Sequence, residues 1–180
     1  RDRVRVYNGA IRTPLSAKNP EDYAESSARM KDLPQGFTII KQAISFHGKM
    51  DAEVPEYYYG DNQGVSIPGM HPSPSYPNRG LLTEKGFNHT VNCVVAMKEV
   101  LGDEIGLALD CGPGMTVTDT LKLARALEPY NIMWLEDTVR GDFSPSVDSD
   151  LFLQITPHTT TPIHTGEQIY LRENFKNLIE

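Results

Sequence analysis

Three acids stand at positions where chemistry is possible: Asp110 closes "GLALD", Glu136 closes "IMWLE" and Glu167 closes "PIHTGE". Each ends a short apolar run, and a buried carboxylate is costly unless a cation or metal compensates it. Strand side chains alternate, so Gly106, Ala108 and Asp110 share one face, as do Ile132, Trp134 and Glu136, and Ile163, Thr165 and Glu167. The acids recur at intervals of about 30 residues, the length of one βα unit when eight share about 250 residues. On neighbouring barrel strands they converge at the C-terminal rim, where barrel active sites lie. Three carboxylates so close cannot all stay ionised without a cation. Oxygen-only ligands select a hard ion, Mg²⁺ ahead of Mn²⁺ or Ca²⁺, and three protein ligands leave octahedral positions for substrate oxygens and water. Lys41, on one face with Ile39 and Ala43, adds a cation on an earlier strand. Taken singly, each acid also reads as a helix cap, a turn former or a salt-bridge partner.

Such a rim needs a repeating scaffold. Strand-like runs at 3–7, 37–45, 105–110, 132–136 and 162–167 alternate with helical stretches, the pattern of an α/β fold with a parallel sheet. Asn19, Pro20, Glu21 and Asp22 supply an N-cap, a first-position proline and two acids for a helix ending near Leu33 and Pro34. Phe87, Val91, Val94, Met97 and Leu101 form one helical stripe, closed by Gly102, and Val117, Leu121, Ala124 and Leu127 form another. "DLFLQI" supplies a short helix. No Gly-rich phosphate fingerprint is present, so a parallel barrel fits better than a nucleotide-binding sheet. Residues 47–80, rich in proline and glycine and containing Tyr57-Tyr58-Tyr59, read as a long insertion serving as a lid. His47, just after the second strand, is placed to reach the site from it. His71 and His158 read as surface and loop residues, and His164, opposite in parity to Glu167, is expected to face the helices.

The 180 residues, 39% of them hydrophobic, are enough for one substantial core. A net charge of −7 argues against nucleic acid or an anionic membrane as partner. Apolar runs fall far short of the ~20 residues that span a bilayer, and the first residues carry no charged-then-apolar leader, so a cytoplasmic protein is expected. Cys93 and Cys111 lack the spacing of a metal site or disulfide framework and read as reduced thiols.

The stretch "LALDCGPGMTVTDTLKLARALEPYNIMWLED" with "TPIHTGE" resembles the third to fifth strands of the enolase superfamily, in its mandelate racemase/muconate-lactonizing branch. The resemblance runs from about Gly36 to the C-terminus, the insertion excepted. It implies a partial TIM (β/α)8 barrel of about five βα units, residues 1–180 being part of a single barrel domain with an insertion at 47–80. The family's N-terminal capping domain and the last strands are absent, so a piece of a protein about twice this size is expected. It further implies Asp110, Glu136 and Glu167 as Mg²⁺ ligands, and Lys41 at the first lysine of the second-strand Lys-x-Lys motif. The implied chemistry removes the proton α to a carboxylate, giving an enediolate. A Mg²⁺-dependent lyase dehydrating a sugar acid is the leading expectation. A racemase, epimerase or cycloisomerase on the same scaffold, and a catalytically silent metal-binding homologue with a regulatory role, are the alternatives. Two departures stand out: Ala43 replaces the second lysine, and Gly112 stands where some sugar-acid dehydratases of the family have a histidine. Lys41 and His47 are the candidate catalytic residues, Lys41 as an electrostatic partner of the substrate carboxylate. A small-molecule carboxylate is the expected ligand and a homo-oligomer the expected assembly.

Overall fold

Helix starts in this chain are set by capping side chains. Asn19 accepts a hydrogen bond from the Asp22 amide at 2.9 Å and opens helix α1 (Pro20–Lys31), which has acids in its first turn and bases in its last. Thr83 and Thr116 do the same for α3 (Glu84–Leu101) and α4 (Val117–Leu127), and Gly102 ends α3 at φ +67°. A four-residue helix, α2 (Met50–Glu53), lies between α1 and α3, and α5 (Ser149–Leu153) and α6 (Arg172–Ile179) follow α4. The computed structural model describes residues 2–9, 14–59, 81–139, 149–167 and 169–180.

Four parallel strands join in chain order: β1 (Ile39–Ala43), β2 (Gly106–Asp110), β3 (Trp134–Glu136) and β4 (Ile163–His164). Parallel strands in sequential order with helices between them fit successive staves of a (β/α)8 barrel. Ile40, Gln42, Leu107, Leu109 and Leu135 are fully buried on one face, where the apolar ones pack with Tyr23 and Met30 of α1, Val94 and Met97 of α3, and Leu123 and Leu127 of α4. Each large apolar side chain buried there contributes roughly 1.5–3 kcal/mol. The opposite face carries Lys41, Ala108, Asp110, Trp134, Glu136 and His164. The register fixes this, pairing Lys41 with Ala108, Asp110 with Glu136, and Glu136 with His164.

The run at 3–7 does not form a strand. Val4 and Val6 are exposed, and the chain meets the sheet at a single parallel bridge from Asn8 to Ile40, with the Lys41 amide donating to the Asn8 carbonyl at 2.8 Å. β-branched residues favour strands where a pleated surface is half covered, and these side chains lack that cover.

Of the insertion expected at 47–80, residues 60–80 lie outside the described residues, His71 among them. Its two ends are joined. Tyr58 pairs antiparallel with Leu82, the Tyr59 amide donates to the Leu81 carbonyl at 2.9 Å, and the Thr83 amide donates to the Tyr57 carbonyl at 3.1 Å. Tyr57 is buried, its hydroxyl donating to Ser45 Oγ at 2.9 Å and lying 2.8 Å from Thr90 Oγ1. Asp119 of α4 accepts from the Leu82 amide at 3.1 Å and fixes the returning end. Cys93 and Cys111 are buried and unbridged, and burial pushes the Cys93 thiol up to about 12. Among the described residues no helix is long and apolar enough to cross a membrane.

Candidate functional site

At the C-terminal ends of β2 and β3, Asp110 and Glu136 stand side by side in register. Two adjacent carboxylates repel, and Lys41 answers that repulsion. Its Nζ lies 2.8 Å from Glu136 Oε1 and 3.1 Å from Asp110 Oδ2. The three side chains are nearly enclosed, with exposures of 12% for Lys41, 12% for Asp110 and 4% for Glu136. Burial pulls the Lys41 pKa down, but the hydrogen bond to Glu136 and the charges of both acids outweigh it and hold the group well above the ordinary lysine range. Lys41 is therefore an ammonium at neutral pH.

The second oxygen of Glu136 faces an aromatic cluster. Trp134 Nε1 donates to Oε2 at 2.9 Å, and His164 Nδ1 lies 3.8 Å from the same atom. The His164 and Trp134 rings lie 5.3 Å apart, and Tyr7 meets Trp134 edge-on at 5.6 Å. Lys41 Nζ is 5.4 Å from the centre of the Tyr7 ring, a cation–π contact. On the other side His47 Nδ1 lies 3.1 Å from Asp110 Oδ1, while the His47 amide donates to the Cys111 carbonyl at 2.8 Å. Gly112 makes room for this. At φ +65° it occupies a backbone region that favours glycine, and a Cβ there would stand 2.8 Å from both His47 Cβ and the His47 nitrogen. The His47 backbone and Cβ occupy space that a side chain at 112 would take.

Lys41, His47, Asp110 and Glu136 are thus brought together, and Glu167 is not among them. Glu167 is exposed in the turn after β4, and among the described residues no group of three or more His, Cys, Asp or Glu is close enough to hold a metal ion. The expectation that His164 faces the helices is corrected: it is in register with Glu136 on the site face, and Ile163 packs toward the core. Between His164 and Glu167 stands Gly166, whose φ of +113° breaks the two-residue repeat, so the parity of Glu167 does not carry back to β4. A shift of one residue moves every side chain of a strand to the opposite face. Thr165 then points to Asp137 and donates to its Oδ1 at 2.7 Å.

Trp134, His164 and Tyr7 are the site residues not singled out beforehand. Trp134 shares the parity of Glu136, which was a usable signal. Tyr7 reaches the site through the Asn8 bridge, for which its sequence holds no cue. His158 lies on an exposed 3-10 turn, Thr156–His158, away from this face. Two acids that already share one cationic partner, and that present only oxygen donors, fit the ligand chemistry of a hard divalent ion.

A family model described as "Enolase C-terminal domain-like" matches residues 25–180. A D-xylonate dehydratase of Haloferax volcanii is 32% identical over all 180 residues of the chain, which cover 36% of that protein. A D-mannonate dehydratase of Caulobacter sp. (strain K31) is 36% identical over 98 residues, 54% of this chain and 23% of that one. A mandelate racemase/muconate lactonizing enzyme-like protein from Rubrobacter xylanophilus superposes with a TM-score of 0.67 at 23% identity, over 99% of this chain and 41% of its own. The chain spans well under half the length of each of these proteins.

Proposed function

We propose a function from the premise that this chain belongs to the enolase C-terminal domain-like family: it is part of an enzyme that dehydrates a sugar acid. The (β/α)8 barrel of that family places its chemistry at the C-terminal ends of strands. The observation that carries the reading is the pair of adjacent strand-end acids closed on Lys41 at 2.8 and 3.1 Å. The dehydratase names of the Haloferax and Caulobacter relatives supply the substrate class.

Asp110 and Glu136 would hold Mg²⁺, which when bound supplies positive charge against the charge that grows on the substrate carboxylate as the α-proton leaves. Lys41, kept as an ammonium by its two acids, attracts the substrate carboxylate and does not serve as the base. His47 engages Asp110 through Nδ1, which leaves Nε2 as the nitrogen that exchanges a proton with substrate. Its side chain is 47% exposed and so accessible to a ligand. Overall, the α-proton passes to a base and the β-hydroxyl leaves with a proton as water. The resulting enol then becomes a 2-keto acid. Ala43 lacks the second strand lysine, which favours dehydration over racemisation by a two-lysine strand.

The test is a panel of sugar acids incubated with the full-length protein in Mg²⁺ and in EDTA. A 2-keto product formed in Mg²⁺ and lost in EDTA is expected. Absence of product from every acid overturns the reading, and exchange of the α-proton with solvent deuterium without keto product replaces it with epimerisation.

A further inference from the structure

Resting on the reading of Glu136 as a metal ligand, we infer that Trp134 is a positioning residue that fixes the orientation of that carboxylate. The terminal torsion of a glutamate is broad and only roughly two-fold, so its direction is decided by the groups around it. Glu136 has a separate donor on each oxygen: Lys41 at 2.8 Å on Oε1 and Trp134 Nε1 at 2.9 Å on Oε2. Because the indole uses the oxygen that Lys41 does not, the two donors act together and clamp the plane of the carboxylate.

The indole is itself held. Trp134 lies on the site face, not the helix-packed face, and is only half-buried, so core packing does not account for its presence there. Tyr7 braces it edge-on at 5.6 Å, and the ring of His164, in register with Glu136 on the next strand, lies 5.3 Å from it. Nearly all of Glu136 is shielded from water, so a donor placed there works with little solvent competition. Partners that orient metal ligands tune affinity as well as geometry.

Trp134 is the single tryptophan in these 180 residues, which gives the inference its own optical readout. In the full-length protein the signal of Trp134 is isolated by subtracting the emission of Trp134→Phe. Titration with Mg²⁺ alone is expected to change that emission, saturating at the Kd measured by calorimetry. Trp134→Phe keeps a ring for Tyr7 and His164 but removes the donor, and its Mg²⁺ Kd is expected to rise about 10- to 100-fold. Glu136→Gln serves as the reference. If Glu136→Gln weakens Mg²⁺ binding and Trp134→Phe binds as tightly as wild type, the positioning role is wrong while the ligand assignment stands. If Glu136→Gln itself binds Mg²⁺ as tightly as wild type, the ligand assignment fails and the positioning role with it. Emission from Trp134 that ignores saturating Mg²⁺ also overturns the inference.

Discussion

Replacing Lys41 with methionine removes a charge while keeping most of the side-chain volume, so the result reports electrostatics more than packing. In the wild type one ammonium serves two carboxylates whose side chains are 12% and 4% exposed, too enclosed for water to replace it. Breaking a buried ion pair by removing one partner costs about 3–5 kcal/mol, and here two acids lose their partner at once, which sets the expectation at the upper end. The pH dependence follows from the raised pKa of Lys41, whose ordinary value is 10.5. A group whose folded pKa is raised contributes stability that is complete below the unfolded value and lost as pH climbs through the folded one. The part of the gap that depends on the Lys41 charge is therefore present at neutral pH and is lost in strong alkali as the ammonium gives up its proton. Mg²⁺ provides an independent check. At one hundred times its Kd a ligand stabilises the folded state by about 2.7 kcal/mol, and the variant, with no ammonium in competition, gains more from it than the wild type does. Urea unfolding of the full-length protein in EDTA and in Mg²⁺ measures all three quantities. Equal stability of the two proteins in EDTA at neutral pH refutes the account of the site.

Gly112→Ala puts a methyl 2.8 Å from the His47 backbone at φ +65°, so His47 must move; kcat on the identified sugar acid is expected to fall about 100-fold, and wild-type turnover would remove His47 from the chemistry. Tyr57→Phe strands the buried Ser45 hydroxyl, while Thr90 keeps its bond to the Gly86 carbonyl, and is expected to cost about 1–3 kcal/mol in urea unfolding, with no change in Mg²⁺ affinity. Burial raises both thiols, so iodoacetamide at mildly alkaline pH is expected to spare Cys93 and Cys111 in the native protein and to modify both in denaturant, as read by peptide mass spectrometry.

Local chemistry made much of this legible from sequence. Asn19 with Pro20, and Gly102, mark helix ends because capping is decided by the few residues at each terminus. The apolar stripe on α3 packs into the main core as its spacing implies, whereas on α4 Ala124 and Leu127 do so and Val117 and Leu121 pack instead against Val139, Phe152 and Ile155. Asp110 and Glu136 share one face of the sheet, as their parity implies, because both strands keep strict alternation up to the acid. Alternation failed at β4, where only Ile163 and His164 pair with the sheet and Gly166 intervenes before Glu167, so counting back from the acid put His164 on the wrong face. The Lys41 bridge was legible as a salt bridge to a rim acid, though its engagement of two acids depends on a register that no single strand encodes. Tyr7 was beyond reach for the same reason: its place depends on one backbone bridge at Asn8.

The closed neck between Tyr57–Tyr59 and Leu81–Thr83 has a consequence for how such a protein diversifies. Since hydrogen bonds and Asp119 hold both ends of the excursion together, the sheet is insulated from whatever the chain does between them. Lengthening a flexible loop adds little further closure entropy, about 0.6 kcal/mol for each doubling. New sequence can be grafted between Tyr59 and Leu81 while the strands that carry Lys41, Asp110 and Glu136 stay as they are. The neck is a cassette boundary: what lies beyond it can be exchanged between homologues without disturbing the strands beneath.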